Sequence, residues 1–197
     1  MRVSLIAGAA AVALMGTMVT TGAVSAEEPN ICVSVNGGDE KVQKGNTACS
    51  SVESDGAANV AIARADGATA IAGLVEGDSG NRATASGDDS FAVAGVGDNT
   101  TATASGEGSE AQAGFGDNNP ATASGDDSFA GAVVGDNNTA IASGEGSGAQ
   151  AGGGDNNTAT ASGDDSFAAV VGDNNTATAN ADGCLAFAIG SNQTVTS

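Results

Sequence analysis

Gly125-Asp-Asp-Ser-Phe-Ala-Gly-Ala-Val-Val134 and Gly154-Asp-Asn-Asn-Thr-Ala-Thr-Ala-Ser162 decide the fold. Each opens on Gly, Asp and Asn, residues that tolerate the positive φ of tight turns. Each then alternates Ala with a changing residue, which is strand periodicity. Strand, turn, strand, turn makes one coil. Working outward, coils begin at Ala83-Thr84-Ala85-Ser86-Gly87, Ala102, Ala121, Ala140, Ala159 and Ala177, with starts 19, 19, 19, 19 and 18 residues apart. A fixed period in this range marks a solenoid, so the fold class expected is all-β, a parallel β-solenoid or β-roll with a small disulfide-closed N-terminal cap. Function is then to be sought on a repeated surface.

Ala holds one side of every strand while the alternate positions pass through Thr, Ile, Phe, Val, Glu, Gln and Gly. Such variety is hard to bury, so Ala is expected inside and the variable side chains outside. Asp-Asp-Ser-Phe coils at Asp88, Asp126 and Asp164 alternate with Glu-Gly-Ser coils at Glu107 and Glu145, giving a longer repeat of about 38 residues. Leu, Ile, Val and Phe are scarce enough to fall in the compositional range of disordered chains. Strict periodicity, which lets weak Ala contacts add from coil to coil, predicts order instead.

Residues 1–26 read as a bacterial secretory signal: Arg2, an apolar run, then the small-residue site Val24-Ser25-Ala26. After them we read an N-terminal cap over 27–60, the repeat solenoid over 61–190 and a C-terminal tail over 191–197. Export favours a Cys32–Cys49 disulfide, with Cys32-Val33-Ser34-Val35, the Asn36-Gly37 turn and Lys41-Val42-Gln43 forming a hairpin. Cys184 falls where earlier coils carry Ser166 and Ser147. It reads as a small buried side chain, or as the partner of an intermolecular disulfide.

The chain carries 24 acidic residues and, after Ala26, only Lys41, Lys44, Arg64 and Arg82 as basic ones. From Ala83 to Ser197 there is no Lys or Arg. We expect no binding to nucleic acid or anionic lipid, which need basic side chains, and no membrane insertion once the signal is removed. Cations, basic surfaces, a protein ligand or a second copy are the expected partners. Catalysis has no foothold, because His, Trp and Tyr are absent and no nucleophile elbow, phosphate loop or zinc spacing occurs.

Ser90-Phe91-Ala92-Val93-Ala94-Gly95 and Ala102-Thr103-Ala104-Ser105-Gly106 resemble the Ser-x-Ala-x-Gly and Ala-x-Ala-x-Gly motifs of trimeric autotransporter adhesin heads, over about Ala61 to Gly190. The resemblance implies a parallel β-roll, trimeric in many members, displayed outside a bacterial cell. The period differs, and neither a coiled-coil stalk nor a C-terminal membrane barrel is visible in the sequence.

Three surfaces compete for function. Phe91, Phe129 and Phe167 recur on alternate coils and form a candidate interaction stripe for a secreted, cell-surface structural or adhesive protein. Thr101 with Thr103, Thr158 with Thr160 and Thr176 with Thr178 form a candidate ice-binding grid about 7 Å by 4.8 Å. Thr122 beside Pro120, and Thr139 beside Ile141, are imperfect copies that extend it. Exposed strand Thr is the plainer reading of all of them. Paired turn acids such as Asp88/Asp89, Asp126/Asp127 and Asp164/Asp165 offer oxygen ligands to calcium, or are solvated turn residues. No cofactor is expected, and no residue is assigned to a metal. Five Asn-x-Thr sequences, at Asn99, Asn137, Asn156, Asn174 and Asn192, read as turn asparagines.

Overall fold

The computed structural model describes residues 30–37 and 42–197. The signal read over residues 1–26 lies outside them, as does Lys41. Among the described residues eighteen strands wind into a β-solenoid of two facing sheets. Sheet A holds β1 Ile31–Val35, β2 Val42–Lys44, β4 Val60–Ala63, β6 Arg82–Ala85, β8 Thr101–Ala104, β10 Pro120–Ala123, β12 Thr139–Ala142, β14 Thr158–Ala161, β16 Thr176–Ala179 and β18 Thr194–Thr196. Sheet B holds β3 Ala48–Ser51, β5 Thr69–Ala72, β7 Phe91–Ala94, β9 Glu110–Ala113, β11 Phe129–Ala132, β13 Gly148–Gly152, β15 Phe167–Asp173 and β17 Leu185–Ser191. From β3 and β4 onward each strand pairs in parallel with the equivalent strand of the next coil, Ala against Ala at most inward positions.

Ala lines the inside, as expected, and nearly every core position is a fully buried Ala. A core of methyl groups stabilises by only about 0.8 kcal/mol per carbon buried, so polar ladders carry much of the cohesion. One runs through the B-to-A corner. The Asn138 N–H donates to Asn119 Oδ1 (2.8 Å), Asn157 N–H to Asn138 Oδ1 (3.1 Å) and Asn175 N–H to Asn157 Oδ1 (3.0 Å). Each amide also donates along the stack, Asn119 Nδ2 to the Gly135 carbonyl (2.7 Å) and Asn138 Nδ2 to that of Gly154 (2.8 Å). These asparagines are fully or almost fully buried, and a buried amide with its partners met avoids the cost of lost hydration.

Turn geometry accounts for the rest of the repeat. Asn99, Asn137, Asn156, Asn174 and Asn192 all sit at φ between 56° and 59°, so the Asn-x-Thr positions are turn residues. At the A-to-B corner the left-handed position alternates between Asp89, Asp127 and Asp165 and the glycines Gly108 and Gly146. A Cβ on Gly108 would meet Asp127 Oδ1 at 2.7 Å, and one on Gly146 would meet Asp165 Oδ1 at 2.8 Å. The carboxylate of each Asp coil thus lies over the Gly of the coil before it. The 38-residue repeat is a physical alternation of a filled and an empty position.

At its N-terminal end the alanine core gives way to a crosslink. Cys32 on β1 and Cys49 on β3 form a disulfide, with Cα atoms 5.7 Å apart, joining the two sheets. Beside it Ser34 Oγ and Ser51 Oγ lie 2.9 Å apart. The β1–β2 hairpin is antiparallel, Val33 opposite Val42, and β1 covers β4, also antiparallel. This reversal of direction ends the parallel stack, while β3 already pairs in parallel with β5, so winding begins within the segment read as the cap. It also continues past Gly190, where Thr194–Thr196 adds a strand to sheet A with Val195 opposite Ala177; Val replaces the Ala-x-Ala signal there.

Candidate functional site

Two outer faces remain once Ala fills the inside. Sheet A presents Thr101 and Thr103, Pro120 and Thr122, Thr139 and Ile141, Thr158 and Thr160, and Thr176 and Thr178 in register. These threonines are all half-buried against their neighbours along the sheet, whereas Pro120 and Ile141 are exposed. Thr194 and Thr196 add a further pair. Arg82 and Thr84 precede the array, so it is bounded by a charge at one end.

Thr122 stands in one of the two rows expected to be imperfect. Its side chain is half-buried like those of the other threonines of the array, and it is flanked in the sheet by Thr103 of the coil before and Ile141 of the coil after. The other outward position of its strand is Pro120, which stands opposite Thr101. Thr122 therefore completes no Thr-x-Thr row, and on one side it has an isoleucine where a regular hydroxyl lattice needs threonine. Thr139 stands alone in its row for the same reason, since Ile141 is its strand partner.

Sheet B presents the aromatics. Phe91, Phe129 and Phe167 occupy one column, with Glu110 and Gly148 between them and Leu185 after them. They are half-buried rather than fully exposed, and the rings of Phe129 and Phe167 lie down on glycines. A Cβ on Gly148 would sit 2.6 Å from Phe167 Cδ2, and one on Gly131 would sit 3.1 Å from Phe129 Cζ. A large-over-small relation like that of the turns therefore recurs at Phe129 and Phe167, while Glu110 separates Phe91 from Phe129. Phe167 also packs on Phe187, ring centres 5.8 Å apart.

The apolar surface is wider than the Phe stripe. Leu74, Val75, Phe115, Val134, Val171, Leu185, Phe187 and Ile189 are large apolar residues at least half exposed or nearly so, and all lie on sheet B or at its B-to-A edge. Sequence reasoning missed Phe115 and Val134, because they sit beside turn glycines, outside the strand alternation, and it missed Ile189 although that residue continues the alternation of β17. The signal was present in the recurring apolar residue just before Gly97, Gly116, Gly135, Gly172 and Gly190. Near the N-terminal end this edge opens into a groove of about 300 Å³ between Ile71, Leu74, Phe91, Val93, Phe115 and Val133. Leu74 is held there by a loop whose Leu74 and Val75 N–H groups both donate to Asp78 Oδ2 (3.1 and 3.0 Å).

The turn acids form columns at both corners and accept hydrogen bonds from the backbone. Asp117 Oδ1 accepts from Asp98 N–H (2.8 Å), Asp136 Oδ1 from Asp117 N–H (2.9 Å) and Asp155 Oδ1 from Asp136 N–H (2.9 Å). At the other corner Asp126 and Asp164 accept from Glu107 and Glu145, each at 3.0 Å. One oxygen of each of these carboxylates is thereby committed to holding coil to coil. Among the described residues no three His, Cys, Asp or Glu side chains are grouped to hold a metal ion. Cys184 is unpaired and half-buried, and stands beyond Ser166 in the corner column, its carbonyl accepting from Phe167 N–H (2.8 Å).

No family model, curated protein or solved structure matches the chain. Among the described residues no helix is long and apolar enough to cross a membrane.

Proposed function

We propose that this is a secreted, non-enzymatic protein of the bacterial cell surface that works by adhesion, and that the outer face of sheet B is its contact surface. The observation carrying this reading is the sorting of side chains. Among the described residues, eight of the eleven exposed large apolar groups lie on sheet B or its edge, against Val35, Val42 and Ile141 on sheet A, and the chain around them is strongly acidic. Exposed apolar groups gathered on one face and rimmed by polar residues mark an interaction site. Levelling of the Phe rings over Gly131 and Gly148 also suits a face that lies against another surface. Beads coated with the protein should attach to cells or to an extracellular matrix, and Phe91→Ser, Phe129→Ser and Phe167→Ser together should reduce attachment at least tenfold. Attachment unchanged in a folded triple variant would refute the assignment of the face.

A second reading, ice binding by sheet A, draws on the in-register Thr pairs. Ice recognition requires a flat, repeated array, and Pro120, Ile141 and Arg82 break it, leaving Thr122 and Thr139 without Thr partners on their strands. Thermal hysteresis lost on Thr103→Lys, Thr160→Lys and Thr178→Lys would establish this reading; we expect none.

A further inference from the structure

The groove among Ile71, Leu74, Phe91, Val93, Phe115 and Val133 lies between two columns of acids. On one corner stand Asp78, Asp98, Asp117 and Asp136, on the other Asp88, Glu107 and Asp126, and the strands between them, β7 and β9, are four residues long. At about 3.3 Å per residue the strand face between the two turns is about 13 Å long, slightly more than the 10–12 Å diameter of an α-helix, with the acids standing in the turns beyond each end. Along the solenoid the groove spans from β5 to β11, three strand spacings or about 14 Å. That length accommodates the i, i+3 or i+4, and i+7 side chains of an amphipathic helix, the usual anchors of helix-in-groove recognition.

We propose that this groove docks a cationic amphipathic helix of a partner protein. This rests on the adhesive reading of sheet B and names the partner chemistry for one part of it. Apolar anchors would enter between Phe91 and Phe115, and Lys or Arg on the helix flanks would extend their long stems outward to the acids of both corners. Charge decides against a second copy of this chain. With no Lys or Arg from Ala83 to Ser197, two such faces laid together would set acid columns against acid columns, and like-charge juxtaposition is strongly unfavourable.

The test uses a fluorescein-labelled Leu/Lys peptide of about 18 residues with a helical apolar stripe and a scrambled peptide of the same composition, titrated with the purified protein and followed by anisotropy. We expect the striped peptide to bind at least about tenfold more tightly, and Phe115→Ser to remove that difference while leaving scrambled-peptide binding unchanged. Phe115 is 59% exposed, so its substitution leaves the core intact; Phe91→Ser with Phe115→Ser, checked by circular dichroism, is the stronger variant. Equal affinity for the two peptides would show charge attraction alone and overturn the proposal. So would sedimentation showing that the protein dimerises through Phe115 and excludes the peptide. Selective peptide binding without cell attachment would remove the adhesive reading only; attachment without peptide selectivity would remove only this one.

Discussion

Asn81 Oδ1 accepts two hydrogen bonds from Thr100, one from its N–H at 2.8 Å and one from its hydroxyl at 2.7 Å. Thr100 is where the asparagine ladder changes hands. Asn81 passes its amide on to the Gly97 carbonyl (2.7 Å), but Thr100 has no amide to offer the coil above, and the ladder resumes at Asn119.

Thr100→Asn should therefore stabilise the protein. Restoring one buried, satisfied rung is worth about 1 kcal/mol, measured as a raised denaturation midpoint with an unchanged slope. Asn138→Ala should act oppositely and lose about 1–3 kcal/mol, since it leaves the Asn157 N–H and the Gly154 carbonyl without their partner. Equal effects of Asn138→Ala and of Ser143→Ala, at an exposed position of ordinary φ, would deny the ladder its structural role.

Gly125→Ala should be far more damaging than its chemistry suggests. A Cβ there would lie 2.1 Å from the carbonyl oxygen of Gly144 in the following coil, so the stack must part or the turn must move. We expect a loss of several kcal/mol, above the usual range for one substitution. The equivalent place in the last coil already holds Ala181, packed against Gly163 from the far side with no described coil beyond it. Ala181→Gly should change stability by no more than about 1 kcal/mol.

Reducing the Cys32–Cys49 bond, or replacing both residues by Ser, should lower stability by about 3 kcal/mol on the chain-entropy estimate for a 17-residue separation. Hydrogen exchange should show the loss beginning in β1, β3 and β4 and leaving β11 to β16 protected. Uniform loss of protection along the solenoid would contradict nearest-neighbour stacking.

The Ala-x-Ala rhythm made the fold legible, because Ala is the residue that all coils can place inside whatever stands outside. The Cys32–Cys49 disulfide followed from reading residues 1–26 as an export signal. Less legible was the edge of sheet B, since Phe115 and Val134 lie in turns where strand alternation assigns no direction. The half-burial of Phe129 and Phe167 was hidden for a related reason: whether a ring stands up or lies down depends on Gly131 beside Phe129 and on Gly148 beside Phe167. Such neighbour relations become visible only when the coils are stacked. On sheet A, by contrast, the flanking of Thr122 by Thr103 and Ile141 was readable from the repeat register.

Every functional reading requires faces that exist before any partner arrives, and the asparagine and aspartate ladders are what would hold them without an ion. Circular dichroism of the protein from Glu27 onward, in chelator and then in millimolar calcium, tests this most directly. We predict a β-type spectrum in chelator that calcium leaves unchanged. A coil spectrum in chelator that turns to β on adding calcium would contradict the account, transferring the cohesion of the solenoid from its hydrogen-bonded ladders to a metal held by the turn acids.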